Sequence, residues 1–243
     1  KDRDSTTVVA DRVRFNIPNA PTPRPAQPPF VFNTNSYIIE ETRFDPYVMF
    51  SGESGAVKWE AGLRYETTDT TIAGIDNDFA VLLPSASLRY RLSDSDRVTL
   101  SVARTVRRAD FDDLAPVTLE EERGDNDFRG NPLLEPETAW GVDLGFERRL
   151  GRRGVIGINA FYRDVTDLIE DVNTGLEGSG GPGTFIESID NVGDGQVYGV
   201  EFDLSTPLDF IGMETTGVFL NASWLDSQVE DDLGERRFND QSD

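Results

Sequence analysis

The residues best suited to chemistry lie in one acid-rich stretch, residues 107–129. It combines four arginines and two phenylalanines with many carboxylates. Guanidinium groups bind anionic groups, whereas carboxylates beside an aromatic ring suit a sugar. We therefore expect ligand-binding residues here, namely Arg107, Arg108, Phe111, Arg123, Phe128 and Arg129. The alternative is an ordinary solvated loop that binds nothing, because loops usually lie on the surface.

Covalent catalysis is not expected from this sequence. The chain has no histidine and no cysteine, which excludes a Ser-His-Asp triad, a thiol nucleophile and a Cys/His zinc site. Paired carboxylates can hydrolyse glycosides, but no pocket pattern gathers them here. The acidic loops have oxygen ligands for Ca²⁺, but no EF-hand spacing. The sequence predicts no catalytic residue, no cofactor, no metal site and no enzyme activity.

The charge balance limits the possible partners. The chain has 243 residues with 45 Asp+Glu against 23 Lys+Arg, a net charge of −22. Such a field repels phosphate backbones, so we expect no nucleic-acid partner. With 37% hydrophobic residues, wholesale disorder is not expected either.

The hydrophobic pattern has a period of two along most of the chain. In WGVDLGFE (140–147), Trp140 and every second residue after it are apolar, whereas glycines and acids lie between them. The same split recurs in six other segments, and with a shorter strand near 46–50 it predicts about eight strands. No apolar run is long enough for a transmembrane helix, which leaves open a barrel whose strands cross the membrane.

The connections alternate between short and long. Short turns are predicted at 51–55, 93–96, 151–154 and 206–213, and long loops at 67–82, 107–137 and 170–194. Outer-membrane barrels place short turns at the periplasmic end and long loops outside. We therefore favour a transmembrane barrel segment over the alternative, a soluble antiparallel sheet with one wet face. In this topology both ends of the chain are extracellular.

The polar faces of the strands supply residues suited to a wet barrel interior. We expect them to form ion pairs along the wall and contacts to whatever fills the barrel. These lumen-facing residues are Glu60, Arg64, Glu66, Arg89, Arg91, Asp143, Glu147, Glu201 and Asp203.

Several motifs together resemble TonB-dependent outer-membrane receptors. FRGNPLLEPETAWGVDLGFE (128–147) resembles the family's Asn-Pro and Pro-Glu signature before a strand, and NVGDGQVYGVEFDL (191–204) resembles its Y-G-V-E strand. Three further segments resemble parts of the family and lie in the family's order along the chain: YVMFSGESGAVKWEAGLRYETT (47–68), the stretch 82–116 and FYRDVTDLIE (161–170). The motif residues are Asn131, Pro132, Pro136, Glu137, Gly199 and Glu201. The pattern is most similar to the branch abundant in Caulobacter- and Xanthomonas-like bacteria.

The motif residues also have a mechanical interpretation. Asn131-Pro132 begins a turn, and Pro136 forces an extended backbone before the strand. Gly199 permits a close approach on the inner wall.

The resemblance implies an all-β segment of a barrel of about 22 strands. It implies active import of a siderophore, vitamin or oligosaccharide, with the TonB complex, outer-membrane lipid and the small solute as partners. The bacterial outer membrane is the implied location. We expect an extracellular Pro-rich loop at 1–40, barrel strands at 41–226 and a further loop at 227–243, without the family's N-terminal plug or closing strand. The alternative function is a soluble or surface-exposed β-sheet binding module.

Overall fold

The computed structural model describes residues 3–5, 38–120, 124–151, 153–231, 234–239 and 241. Most of the predicted Pro-rich loop therefore lies outside the described residues. The larger of two sheets contains β1 (Arg3–Ser5), β2 (Ile39–Phe44), β3 (Tyr47–Ser54), β4 (Val57–Ile72), β5 (Ile75–Arg91), β6 (Asp96–Arg107), β9 (Glu137–Leu150), β10 (Gly154–Thr166), β13 (Asp194–Leu208), β14 (Met213–Asp231) and β15 (Gly234–Arg236). The smaller sheet contains β7 (Thr118–Leu119), β8 (Asp127–Arg129), β11 (Ile169–Glu177) and β12 (Phe185–Asn191).

The larger sheet is antiparallel and open. Its order is β1-β2-β4-β5-β6-β9-β10-β13-β14-β15, and β3 pairs with the free half of β4. Strands β2 and β3 both pair with β4 and are separated at Asp45-Pro46, because proline has no N–H for the ladder. The eight predicted strands correspond to β3, β4, β5, β6, β9, β10, β13 and β14.

Connections between neighbouring strands alternate between the two ends of the sheet. At the end that we call the turn end, residues 55–56, 92–95 and 151–153 and a single 3-10 turn, Asp209–Ile211, join the strands. At the opposite end, called the loop end, lie the turn 73–74 and the segments 108–136 and 167–193. This separation agrees with the predicted alternation.

One predicted loop is wrong. Residues 67–82 form the ends of β4 and β5, which meet at the two-residue turn Ala73-Gly74. Both turn residues have positive φ angles, 51° and 82°, as a type I′ hairpin turn requires. The glycine and the acids of this segment are typical of a loop, but here they occupy a hairpin that continues the sheet.

The outer face carries an exposed apolar band. One row across neighbouring strands contains Trp59, Leu88, Leu100, Leu144, Ala160, Val200 and Trp224. Leu144 is 51% exposed and Trp224 is 59% exposed. Beyond Tyr65 the outer face of β4 becomes polar, with Thr67, Asp69 and Thr71. The band therefore ends before the loop end.

The buried apolar residues lie at the loop end, under the long segments. In the described part of the chain, three small clusters form there, around Ile72, Leu134 and Val165. The smaller sheet has the order β11-β12-β8-β7, with β12 and β8 parallel, so it joins the two long loops. No helix within the described residues has the length and hydropathy needed to cross a bilayer.

Candidate functional site on the inner wall and beneath the loops

The register of the strands places all nine residues predicted to face the lumen on one face, opposite the apolar band. Glu60 aligns through Ser87 and Ser101 with Asp143. Arg89 aligns with Glu201, and Arg91 with Glu147 and Asp203, along two further rows. We call this face the inner wall.

A cluster of five charged residues lies where the inner wall meets the loop end. Glu66 is its centre, with a side chain only 4% exposed. Arg64 Nε donates to Glu66 Oε1 at 2.7 Å, and Arg43 and Arg108 also form ion pairs with Glu66. Asp45 completes the cluster by accepting from Arg43 at 2.9 Å and from Arg64 at 3.1 Å. We call these residues the Glu66 cluster.

The Glu66 cluster fastens a long loop to the wall. Arg108 is the first residue after β6, and its guanidinium lies 5.6 Å from the centre of the Phe79 ring. Burial lowers the pKa of Arg108, and repulsion from Arg43 lowers it further. The buried carboxylate of Glu66 is stable in this cluster because it accepts hydrogen bonds from several guanidinium groups. These bonds offset the solvation that the charged groups lose on burial.

The predicted ligand-binding residues that the structure describes do not form one pocket. Arg107 bonds Glu137 at 3.2 Å and the Ile169 carbonyl oxygen at 3.3 Å, whereas Arg108 is held by Glu66. Phe111 packs against the cluster around Ile72, and Phe128 packs against the cluster around Leu134. Arg129 is exposed on β8, and Arg123 lies outside the described residues. Both aromatic rings therefore have packing partners instead of standing free as stacking platforms.

The Asn-Pro and Pro-Glu motif acts as a structural junction. Asn131 Oδ1 accepts from Leu133 N at 3.0 Å, which forms the turn around Pro132. Glu137, which follows Pro136, accepts through Oε2 from Ile169 N at 3.1 Å as well as from Arg107. The motif thus connects the segment 108–136 to the segment 167–193.

Two asparagines outside the predicted set complete this junction. Asn77 Nδ2 donates to the carbonyl oxygens of Pro132 at 3.2 Å and Leu134 at 2.9 Å. Asn191 bonds both the N–H and the carbonyl oxygen of Glu135. The sequence has no pattern that predicts these partners, since Asn77 is 57 residues from Leu134.

The two long loops also interlock at their tips. The buried Asp127 accepts from Ser179 N at 2.6 Å and from Ser179 Oγ at 2.9 Å. Asn126 Nδ2 donates to Glu187 at 2.6 Å, and Asn126 Oδ1 accepts from Phe185 N at 2.9 Å. The loops therefore form one bonded unit above the inner wall.

Gly199 is required by close packing on the inner wall. A Cβ atom there would lie 2.5 Å from the Trp224 carbonyl oxygen and 2.7 Å from the Phe161 ring. Glu201, the other residue of that motif, is exposed and accepts from Asn159 Nδ2 at 3.4 Å.

Comparisons with known proteins identify the architecture. The family described as TonB dependent receptor-like, beta-barrel matches residues 4–242. A sequence comparison with curated proteins gives no match. Among solved structures, the FrpB iron transporter from Neisseria meningitidis is 15% identical with a TM-score of 0.55, over 82% of this chain and 27% of that one.

Two other solved structures have the same fold. A double mutant of the Serratia marcescens hemophore receptor HasR, in complex with its hemophore HasA and heme, has a TM-score of 0.57 and 14% identity, over 79% of this chain and 34% of that chain. The siderophore receptor PirA from Pseudomonas aeruginosa has a TM-score of 0.51 and 16% identity, over 81% and 46%.

The chain therefore spans between about a quarter and a half of the length of these structures. The predicted fold class, an antiparallel segment of a transmembrane β-barrel, is confirmed, and the chain belongs to the TonB-dependent receptor β-barrel family.

Proposed function

We propose that this chain is part of an outer-membrane receptor that imports a scarce solute with energy supplied through TonB. The observation that carries the proposal is that apolar and charged side chains lie on opposite faces of the sheet. An exposed apolar band lies on one face, and nine charged residues lie on the other. Such a wall suits lipid outside and water inside.

The orientation follows from the two ends of the sheet. In outer-membrane barrels the short turns are periplasmic and the long loops extracellular. We therefore assign the loop end to the outside of the cell and the turn end to the periplasm. The interlocked loops and the exposed Arg129 then face arriving solute.

An iron-containing solute is the first candidate. The proteins with this fold include an iron transporter, a siderophore receptor and a receptor in complex with a hemophore and heme. Vitamins and oligosaccharides remain candidates, and the Caulobacter- and Xanthomonas-like branch remains a prediction. Arg107 and Arg129 keep exposed side chains and are the first ligand contacts to test. Transport requires no covalent chemistry, which agrees with the predicted absence of catalysis.

Uptake by the whole receptor tests the import proposal. Cells that carry the receptor should accumulate a ferric siderophore, heme or oligosaccharide only when TonB is present. A TonB-deficient strain is the control. Uptake of every solute at the same rate in both strains would contradict energised import.

Single-cysteine variants test the orientation, since the chain has no native cysteine. A membrane-impermeant thiol reagent should label Glu177→Cys at the loop end in unbroken cells. The control Asp94→Cys, at the turn end, should react only after the cells are broken. Labelling of Asp94→Cys in unbroken cells would reverse the assignment.

A further inference from the structure

A cavity of about 300 Å³ at the turn end of the inner wall is rich in positive charge. Lys58 is directly opposite Arg89, and Arg91 is directly opposite Arg97, on adjacent strands. These four residues and Arg149 line the cavity, which we call the turn-end cavity. Like charges in directly opposed positions destabilise a sheet. Their grouping in a chain with a net charge of −22 therefore calls for a compensating anion.

Most of these cations lack a partner in the described part of the chain. Arg97 forms an ion pair with Glu147. The other four form no ion pair and no side-chain hydrogen bond with any residue that the structure describes, namely Lys58, Arg89, Arg91 and Arg149. Four positive charges are thus available to a ligand.

The acids that line the cavity do not neutralise these charges. Glu147 is taken by Arg97, and Asp96 pairs with an arginine outside the lining. This leaves Glu53 and Asp94, which are exposed and form no ion pair with the cations within the described residues. Four unpaired cations against two unpaired acids leave the cavity with an excess of positive charge.

The cations of the cavity form two rows. Arg89 and Arg91 are alternate residues of β5, so their backbones lie about 7 Å apart along the strand. Lys58 extends the first row on β4, and Arg97 extends the second row on β6. An anion with a single charged group compensates one row, whereas an anion with two or more charged groups reaches both.

We propose that the turn-end cavity binds a small polyanion that carries at least two phosphate or carboxylate groups. Guanidinium groups match both kinds of anion with two parallel hydrogen bonds. The volume of about 300 Å³ is at the lower end of the range for ligand pockets, which suits a small ion. A cleft lined mainly by one sign of charge also concentrates ions of the opposite sign.

The position of the cavity indicates where the anion comes from. The cations lie on the inner wall, on the face opposite the apolar band. A dissolved anion reaches this face, whereas a lipid headgroup lies on the other side of the sheet. The orientation proposed above adds that the cavity opens toward the periplasm, far from the loops that meet arriving solute.

The test measures binding to the purified full-length receptor in a neutral detergent at low salt. Isothermal titration calorimetry compares pyrophosphate and citrate with acetate, which has only one charged group. The wild type should bind both polyanions at least tenfold more tightly than acetate. Molar salt should weaken this binding at least tenfold, because the contacts are ionic and exposed. Binding does not depend on TonB, so it can fail while energised uptake holds, and the reverse.

Variants of the cavity test which residues bind. Arg89→Gln with Arg91→Gln removes one cation from each row and should weaken pyrophosphate binding at least tenfold. Arg89→Lys with Arg91→Lys keeps both charges and should retain most of the affinity. Arg153→Gln is the control, because Arg153 lies at the turn end outside the cavity lining and pairs with Asp209. It should bind as the wild type does.

Four results would overturn the proposal. Absence of polyanion binding by the wild type would mean that the cations have counter-charges within the receptor. Equal affinity for pyrophosphate and acetate would exclude a polyanion site. Unchanged affinity in the Arg89→Gln, Arg91→Gln variant would place binding elsewhere. Displacement of pyrophosphate by short-chain phosphatidylglycerol but not by citrate would assign the cations to a lipid headgroup. The acetate and salt comparisons use the wild type, so they decide the matter even if a variant folds poorly.

Discussion

Asn191 and the backbone of Glu135 form a reciprocal pair of hydrogen bonds. Glu135 N donates to Asn191 Oδ1 at 2.9 Å, and Asn191 Nδ2 donates to the Glu135 carbonyl oxygen at 3.0 Å. The amide also reaches the Asp167 carbonyl oxygen at 2.9 Å. One side chain thus joins the two long loops across 56 residues of sequence.

Replacement of Asn191 by alanine should loosen both loops together. It leaves three backbone groups without partners, at a cost of about 1–3 kcal/mol to local stability. Hydrogen exchange should accelerate in 130–137 and in 167–170. Asn173→Ala is the control, because the Asn173 side chain bonds only Gly175 N among the residues that the structure describes. Faster exchange in one loop alone would show that the loops open separately.

The Glu66 cluster should stabilise the attachment of the loop after β6, so a variant of Glu66 should hold this loop less tightly than the wild type does. Glu66→Gln removes the negative charge shared by three arginines. Because those arginines are partly exposed, we expect a loss of about 1–3 kcal/mol in docking of the loop, less than for a fully buried pair. Limited proteolysis of segment 108–120 measures it. The control is Glu60→Gln on the same strand and face, where Glu60 is exposed.

The outward and inward faces should respond differently to an added charge. Leu144→Arg places a charge in the apolar band and should cost about 2–4 kcal/mol at the bilayer midplane. Ser101→Arg, on the inner wall and directly opposite Asp143, should cost much less. Equilibrium unfolding of the receptor in lipid vesicles gives both values. Equal costs would contradict the assignment of faces.

Much of this arrangement follows from the sequence, but the contacts between loops do not. Alternation in 140–147 predicts which residues point outward, because a strand can present only two faces. The sequence predicts a loop at 67–82, because the threonines, acids and glycine of this segment do not form an apolar face. Phe111 and Phe128 look like free platforms in the sequence, yet each packs in a separate small cluster. The sequence does not predict the roles of Asn77 and Asn191, because their partners are distant in the chain.

Acid should weaken the short turn 92–95. Asp96, at the end of this turn and outside the apolar band, accepts from Arg148 Nε at 2.6 Å and from Ser93. These hydrogen bonds, that of Arg148 above all, lower the pKa of Asp96 below its ordinary value of 3.8. A lowered pKa in the folded state contributes stability that is complete above pH 3.8 and is lost as the pH falls through the folded-state pKa.

The variant Asp96→Asn isolates this effect. The wild type should unfold at higher denaturant than Asp96→Asn at pH 7, and the difference should shrink as the pH falls below 3.8. Asp94→Asn, in the same turn, is the control and should behave like wild type. A difference that persists at the lowest pH would show that the carboxylate charge is not what stabilises the turn.

The solubility of the isolated chain distinguishes a segment of a transmembrane barrel from a soluble β-sheet binding module. The exposed outer band includes Trp59, Leu144 and Trp224, and it forms a continuous row across the sheet. Monomeric soluble proteins rarely expose apolar patches larger than a few hundred Å². Among the described residues, β3 and β15 each have an unpaired edge whose backbone groups need partners, and in hydrocarbon each unsatisfied group costs several kcal/mol.

Expressed alone, residues 1–243 should therefore aggregate in water, and detergent should keep them in solution. Sedimentation of the chain with and without detergent measures this. Replacing Leu88, Leu100 and Leu144 together by serine should shift the chain toward solubility, because these residues are neighbours in the band. The matched control replaces Ser87 and Ser101 by alanine on the inner wall and should change nothing. A monodisperse monomer without detergent, with a cooperative melt, would favour the soluble binding module over the receptor wall.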